Sequence, residues 1–285
     1  MVSPNTHSAP KAKADHFRVS AGAQDRIKLP GVFWAALKAI GLAPGAILRR
    51  SNLPPTAYSG ESLVTTAQNF AIWRAIRDLS NDATLGWKAM SLVETDQYHP
   101  TLLAALHART YRESIERLAR YKRLCSAEEF RITPKGDEVL VEVSWPFAGE
   151  EPPPALLIDA VFALVTELGR RGTKTKLKPK RVELARPNEK ENGLEDYFGC
   201  RVKYRAPRDV LVLRASDVEL PFATHNAELL QMLAPQFEDR LQAGQSNQTL
   251  QDQVKWVLKR TATGTKKSAA AMNAYHVAIN GAPPA

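Results

Sequence analysis

Cysteine is nearly absent from this 285-residue chain, and the two that occur, Cys125 and Cys200, have neither CxxC spacing nor a framework of pairs. That excludes a disulfide scaffold and a cysteine-built zinc site. Long apolar runs are missing too. The most apolar stretch, 155–168, is too short to span a bilayer and carries Asp159 and Glu167, so it reads as a buried helix. The first residues lack an apolar core followed by a cleavage site. Rich in Ser, Ala, Pro and Lys, they read as a disordered arm over 1–28, and the expected compartment is the cytoplasm. Catalytic signatures are absent as well: there is no G-x-S-x-G elbow, no G-x-x-x-x-G-K, no G-x-G-x-x-G after a strand and no H-E-x-x-H. His99, His107, His225 and His276 lie far apart, with no acid or nucleophile at a telling interval. No enzyme, metal or cofactor is expected.

What the chain does have is positive charge, 39 Lys and Arg against 30 Asp and Glu, for a net +9. Its location decides its meaning. Residues 170–181 hold seven cations and no acid, and residues 253–285 hold five and no acid, so the remainder carries −3. The favoured reading of 170–181 is a solvated connection after the buried helix. The alternative is a non-specific nucleic-acid binder that uses this loop and the C-terminal tail on phosphates.

From Leu29 to about Leu124 the pattern is helical. Thr65 and Gln68 have the spacing of a capping box, in which side chains and orphan backbone donors satisfy one another, and Phe70, Trp73 and Ile76 share a face; a helix over 65–79 is predicted. Thr110 and Glu113 repeat the device before Tyr111, Ile115, Leu118 and Tyr121. Alternation then replaces the helical period. Phe130 and Ile132, the turn residues Pro134-Lys135-Gly136-Asp137, and Val139, Val141 and Val143 predict a hairpin. The apolar helix 155–168 is expected to lie against that sheet. Val182 with Leu184, Val202 with Tyr204, and 210–213 suggest further strands. A short helix at 193–198 should stop at Gly199, and another, over 226–241, should bend at Pro235. The order predicts an α+β fold: a helical N-terminal half, a small mainly antiparallel sheet with packed helices, and a helical C-terminal segment.

Several segments carry a resemblance. Ala83-Thr84-Leu85-Gly86-Trp87, the run Thr110-Tyr111-x-Glu113-Ser114-Ile115, Leu184-x-Arg186-Pro187, Tyr197-Phe198-Gly199-Cys200, Leu220-Pro221-Phe222 and Asn226-Ala227-Glu228-Leu229-Leu230 resemble the N-terminal, arabinose-binding-type domain of AraC-type transcriptional regulators. Where that domain has Asp-Pro, this chain has Asp82-Ala83, and where it has Leu and Ala, Tyr111 and Ser114. The resemblance implies a ligand-sensing domain over 29–248 that answers an unidentified small-molecule effector, as a homodimer or a mixed dimer with an intact relative. It also implies a C-terminal domain with two helix-turn-helix motifs. Leu250-x-Asp252-Gln253-Val254-Lys255 looks like the opening helix of that domain, so 249–264 reads as its remnant and 265–285 as a tail foreign to the family. A truncated regulator, unable to read operator DNA unless the missing domain is supplied, is the expectation. His107 and Tyr121, beside and on the capped helix, are the candidate effector contacts, each offering a polar group from an apolar surface.

Overall fold

The computed structural model describes residues 25–29, 31–58, 62–95, 98–189 and 192–242. Helices come first: α1 (Gly31–Ala39), α2 (Pro44–Arg50), α3 (Thr66–Ser80), α4 (Leu85–Leu92), α5 (Pro100–Leu106) and α6 (Tyr111–Tyr121). A two-stranded ribbon, β1 (Ile27–Lys28) with β2 (Leu63–Val64), ties the chain start to the residues before α3. The hairpin β3 (Glu129–Lys135) and β4 (Glu138–Ser144) follows, then the long helix α7 (Ala155–Thr173). Next come β5 (Arg181–Leu184), α8 (Leu194–Phe198), β6 (Val202–Tyr204), β7 (Val210–Arg214), the short α9 (Ala215–Val218) and α10 (Ala227–Gln242). The five strands β3 to β7 form one sheet in the order β3-β4-β7-β5-β6, antiparallel except for the β5–β6 pair. The architecture is α+β, as the order of patterns predicts.

Local chemistry explains the boundaries. At α3, Thr65 accepts a bond from the Gln68 N–H and Gln68 returns one to the Thr65 N–H, the full capping box. Such a cap stabilises a helix by about 1 kcal/mol. The second box is only half formed. Thr110 accepts from the Glu113 N–H, but Glu113 reaches past it to the backbone N–H and guanidinium of Arg109 and also receives Arg117. Burial alone would raise the Glu113 carboxyl; these donors outweigh it and hold the group down at about 2. The hairpin turns on Gly136, whose φ of +61° suits the first central position of a primed two-residue turn. Pro134 is tolerated because β3 is an edge strand. Gly199, at φ +66°, ends α8 as expected.

Three expectations need correcting. The arm predicted over 1–28 does not include its last four residues: Asp25 accepts bonds from Thr66 N and Oγ1 at 2.7 and 2.6 Å, and Ile27 is buried in β1. A two-residue strand shows no period in sequence, so this tether is invisible there. The helix predicted over 155–168 continues to Thr173, placing Arg170 and Arg171 in its last turn instead of in a loop. Nor does α7 lie mainly on the sheet. It shares a core with Val139, Val141, Leu211 and Leu213, but its closest partner is α4, where a methyl group on Gly86 would sit 2.4 Å from the Leu156 carbonyl oxygen. The segments read as the remnant 249–264 and the tail 265–285 lie outside the described residues.

Candidate functional site

Helix α7 organises the molecule, and its C-terminal half is a fully engaged polar hub. Glu167 accepts from Arg170, Arg171 and the Tyr197 hydroxyl at 3.0, 3.4 and 3.0 Å. Arg170 donates further to the carbonyls of Leu177 and Tyr197 and stacks 5.0 Å from the Tyr197 ring centre. Arg171 closes the end of α4 by donating to the Ser91 and Val93 carbonyls. Downstream, Lys180 pairs with Asp137 and Glu138, and Arg181 with Glu138 and Glu183. Four of the seven cations counted in 170–181 are thus committed within the fold. The phosphate-binding alternative loses most of its charge; the part of it that rests on the C-terminal tail lies outside the described residues.

At the other end of α7, Asp159 is buried against Arg186, whose Nη2 lies 2.6 and 2.8 Å from the two carboxylate oxygens. Burial pushes the Asp159 carboxyl up to about 6, outweighing the guanidinium. Arg186 also donates to the Ala155 carbonyl at 3.2 Å, which pins the strand exit to the start of the helix.

The glycines of α7 form a notch. A methyl group on Gly169 would lie 2.6 Å from the Tyr111 ring, and one on Gly172 would lie 2.4 Å from the Phe222 ring. Tyr111 and Phe222 stack with centres 6.0 Å apart, and the Tyr111 hydroxyl donates to the Val165 carbonyl. Tyr111 thus needs the missing side chain of Gly169. Phe222 belongs to a strap, 220–226, stitched between the α5–α6 corner and α7. Tyr111 N–H donates to Leu220 O, Phe222 N–H to Arg109 O, Ala223 N–H to Gly172 O, and Asn226 N–H to His107 O. Asn226 then caps α10 by accepting from the Leu229 N–H.

His107 and Tyr121 both sit at this strap and the helix it leads into. The His107 ring nitrogen Nδ1 bonds the Thr224 carbonyl, and its own carbonyl receives the His225 ring. Tyr121 is buried in a small separate cluster with Leu124, Leu230 and Phe237, its ring centre 5.0 Å from that of Phe237. The ion pair of Arg120 with Glu238 borders the cluster. The structure therefore brings both predicted residues to the joint that carries α10. His99 caps α5, and desolvation within the fold lowers its pKa to about 3, so it stays neutral. Among the described residues no three His, Cys, Asp or Glu gather as potential metal ligands, and no helix is long and apolar enough to cross a membrane.

A different region of the core is dense in aromatic rings. Phe33, Trp34 and Trp73 meet with ring centres 5.2 and 5.9 Å apart, and Phe70 meets Trp145 edge-on at 5.7 Å. On these elements, α1, α3 and the end of β4, are Trp34 Nε1, Asn69 Oδ1, Ser144 Oγ and Trp145 Nε1. All four atoms are buried and have no hydrogen-bond partner among the described residues. Each such atom costs about 1–3 kcal/mol against a paired one and calls for an explanation. The sequence pattern puts Trp73 on an apolar face, but no pattern reveals that the N–H groups of Trp34 and Trp145 go unpaired.

These features describe an α+β domain with an aromatic-rich core and a strap leading into a terminal helix. The match to known proteins gives the family. The model of the arabinose-binding domain of AraC transcription regulators, N-terminal, covers residues 41–222, and the chain belongs to that family. Of solved structures, the transcriptional regulator CdpR from Pseudomonas aeruginosa is similar in fold, with 17% identity, a TM-score of 0.53, and 76% of this chain and 67% of that one covered. No curated protein matches the chain.

Proposed function

We propose that this transcription regulator senses a small polar molecule in the aromatic interior between α1, α3 and the end of β4, and that its occupancy is relayed through α7 and the strap to α10. The observation that carries the reading is the set of four unpartnered atoms, Trp34 Nε1, Asn69 Oδ1, Ser144 Oγ and Trp145 Nε1, inside one aromatic core. Two indole donors and an amide acceptor suit a compact solute with both hydroxyl and carbonyl groups, while the ring faces suit its apolar surface. In this reading His107 and Tyr121 serve the joint, not the effector: one clamps the strap and the other anchors α10. Differential affinity for two placements of α10 would be the regulatory output.

A thermal-shift screen of small polar metabolites tests it. A ligand at 100 times its dissociation constant stabilises the fold by about 2.7 kcal/mol, and Asn69→Leu should abolish that gain while leaving the unliganded melting temperature in place. A shift that persists undiminished in Asn69→Leu places the ligand elsewhere, and a broad panel that shifts nothing overturns the sensing role.

A further inference from the structure

The sheet ends on β3, and the hairpin fixes which backbone groups of that strand face outward. The Asp137 carbonyl accepts from Ala215 N, beyond β7, at 2.8 Å. Odd-numbered residues of β4 therefore turn their backbone groups to β7, and even-numbered ones turn theirs to β3. In the register Thr133↔Leu140 and Arg131↔Glu142, the N–H and C=O of Phe130 and Ile132 and the C=O of Pro134 point away from the sheet. No backbone-to-backbone bond among the described residues uses them. Beside the strand runs an open groove of about 460 Å³, floored by Ala119, Phe130 and Ile132 and rimmed by Glu116, Arg120 and Arg123.

An open edge is a template for another strand. We propose that this edge receives a second copy of the chain, β3 against β3, antiparallel about a two-fold axis at Ile132, joining the two sheets into one. The strand reads Glu129-Phe130-Arg131-Ile132-Thr133-Pro134-Lys135, and its charges select this register. Glu129 falls opposite Lys135 of the other copy on both sides of the axis, Arg131 opposite Thr133, and Ile132 opposite itself. Moving the axis to Arg131 sets that cation against its own copy; moving it to Thr133 sets Arg131 against Lys135. Like charges directly opposed destabilise a ladder. The two Ile132 residues exchange a pair of bonds, and each Phe130 N–H donates to the Pro134 carbonyl across the interface. Pro134 removes one donor per copy, leaving roughly four hydrogen bonds. The interface is isologous and closes on itself, so it yields a dimer and not a fibre.

Sedimentation of the full chain over a micromolar concentration series tests the proposal, together with hydrogen exchange at the same concentrations. The expected result is a monomer–dimer equilibrium. Lys135→Glu, at an exposed position, weakens it by about tenfold or more through two reversed pairs, and Glu129→Lys combined with Lys135→Glu restores it. Melting curves establish that each variant is folded. In the unmodified chain, the amides of Phe130 and Ile132 gain protection as the dimer forms, whereas those of Arg131 and Thr133, already bonded to β4, do not change. A monomer at every concentration, a dimer indifferent to Lys135→Glu, failed restoration in a folded double variant, or unchanged Ile132 exchange on dimerisation would each overturn it.

Discussion

Two regions of the buried core treat polar groups in opposite ways. Along α7, Asp159, Glu167, Arg170 and Arg171 all find partners within the fold, and even Arg186, which leaves Nε unpaired, gives Nη1 and Nη2 to acceptors. On α1, α3 and the end of β4, the indoles of Trp34 and Trp145 and the amide oxygen of Asn69 find none. Asp159 and Glu167 are buried, as are Trp34, Asn69 and Trp145, so burial alone does not distinguish these groups. What does is whether the protein supplies the second half of each hydrogen bond. A region that does so has a structural task; a region that withholds it has room, in energetic terms, for something else to supply it.

The contrast can be broken most severely at α7 by creating an orphan there. Arg186→Gln leaves Asp159 buried without its cation and should cost about 3–5 kcal/mol in urea unfolding at pH 8. The pH dependence has a definite sign. Burial raises the Asp159 carboxyl from 3.8 to about 6, so between those values the folded state binds the extra proton and its stability falls as pH rises, levelling off above about 6. Without Arg186 the folded-state pKa climbs higher, and the fall continues to higher pH. The variant should therefore lose less at pH 5 than at pH 8; an equal loss at both would mean that Asp159 is not the group left exposed to the change.

A smaller effect is expected at the notch. Gly172→Ala places a methyl group against the Phe222 ring and should cost about 1–3 kcal/mol by overpacking. Its signature is spatial. The Ala223 N–H bond to Gly172 and the amides of α10 should exchange faster, while those of the β3–β4 hairpin keep their protection. Uniform loss across the chain would show that the strap is not a separable joint. Smaller again is Thr65→Ala, which removes the cap of the helix presenting Asn69 and Trp73 and should lower stability by about 1 kcal/mol, measured by the urea midpoint. A drop several times larger would tie the frame of the aromatic interior to its cap more closely than helix chemistry alone accounts for.

Much of the scaffold was legible because its signals are local. Thr65 and Gln68 announce α3, the alternation of Val139, Val141 and Val143 announces β4, and Phe198-Gly199 announces the end of α8. The misreadings arise where a distant partner decides. Glu113 has the spacing of a capping box, yet two arginines draw its carboxylate one residue further. The run from Arg170 looks like a free basic loop only until Glu167, Glu138 and the carbonyls of Ser91 and Val93 are placed around it. His107 and Tyr121, polar groups on an apolar surface, lie where that surface seats α10, a placement set by contacts distant in sequence. Unpaired indoles leave no trace in sequence at all, since a tryptophan with a partner and one without are the same letter.

The smallest expected effect tests the comparison most sharply. At α7, removing one member of a pair exposes the other, so the loss is large. In the interior, Asn69 Oδ1 has no partner to leave behind, and replacing the amide by a leucine of similar size removes an unmet acceptor from an apolar setting. Such a change is close to neutral or stabilising in a core, so Asn69→Leu should leave the urea midpoint where it is or raise it slightly. Burial cannot account for that outcome, because Asn69 is 4% exposed, and polar-to-apolar changes at a satisfied buried amide destabilise. A loss of about 2 kcal/mol would mean that Asn69 is bonded after all and that the two regions are alike. An unchanged or raised midpoint means that the amide is held unpaired at a standing cost to stability, which is the condition the proposed effector site requires.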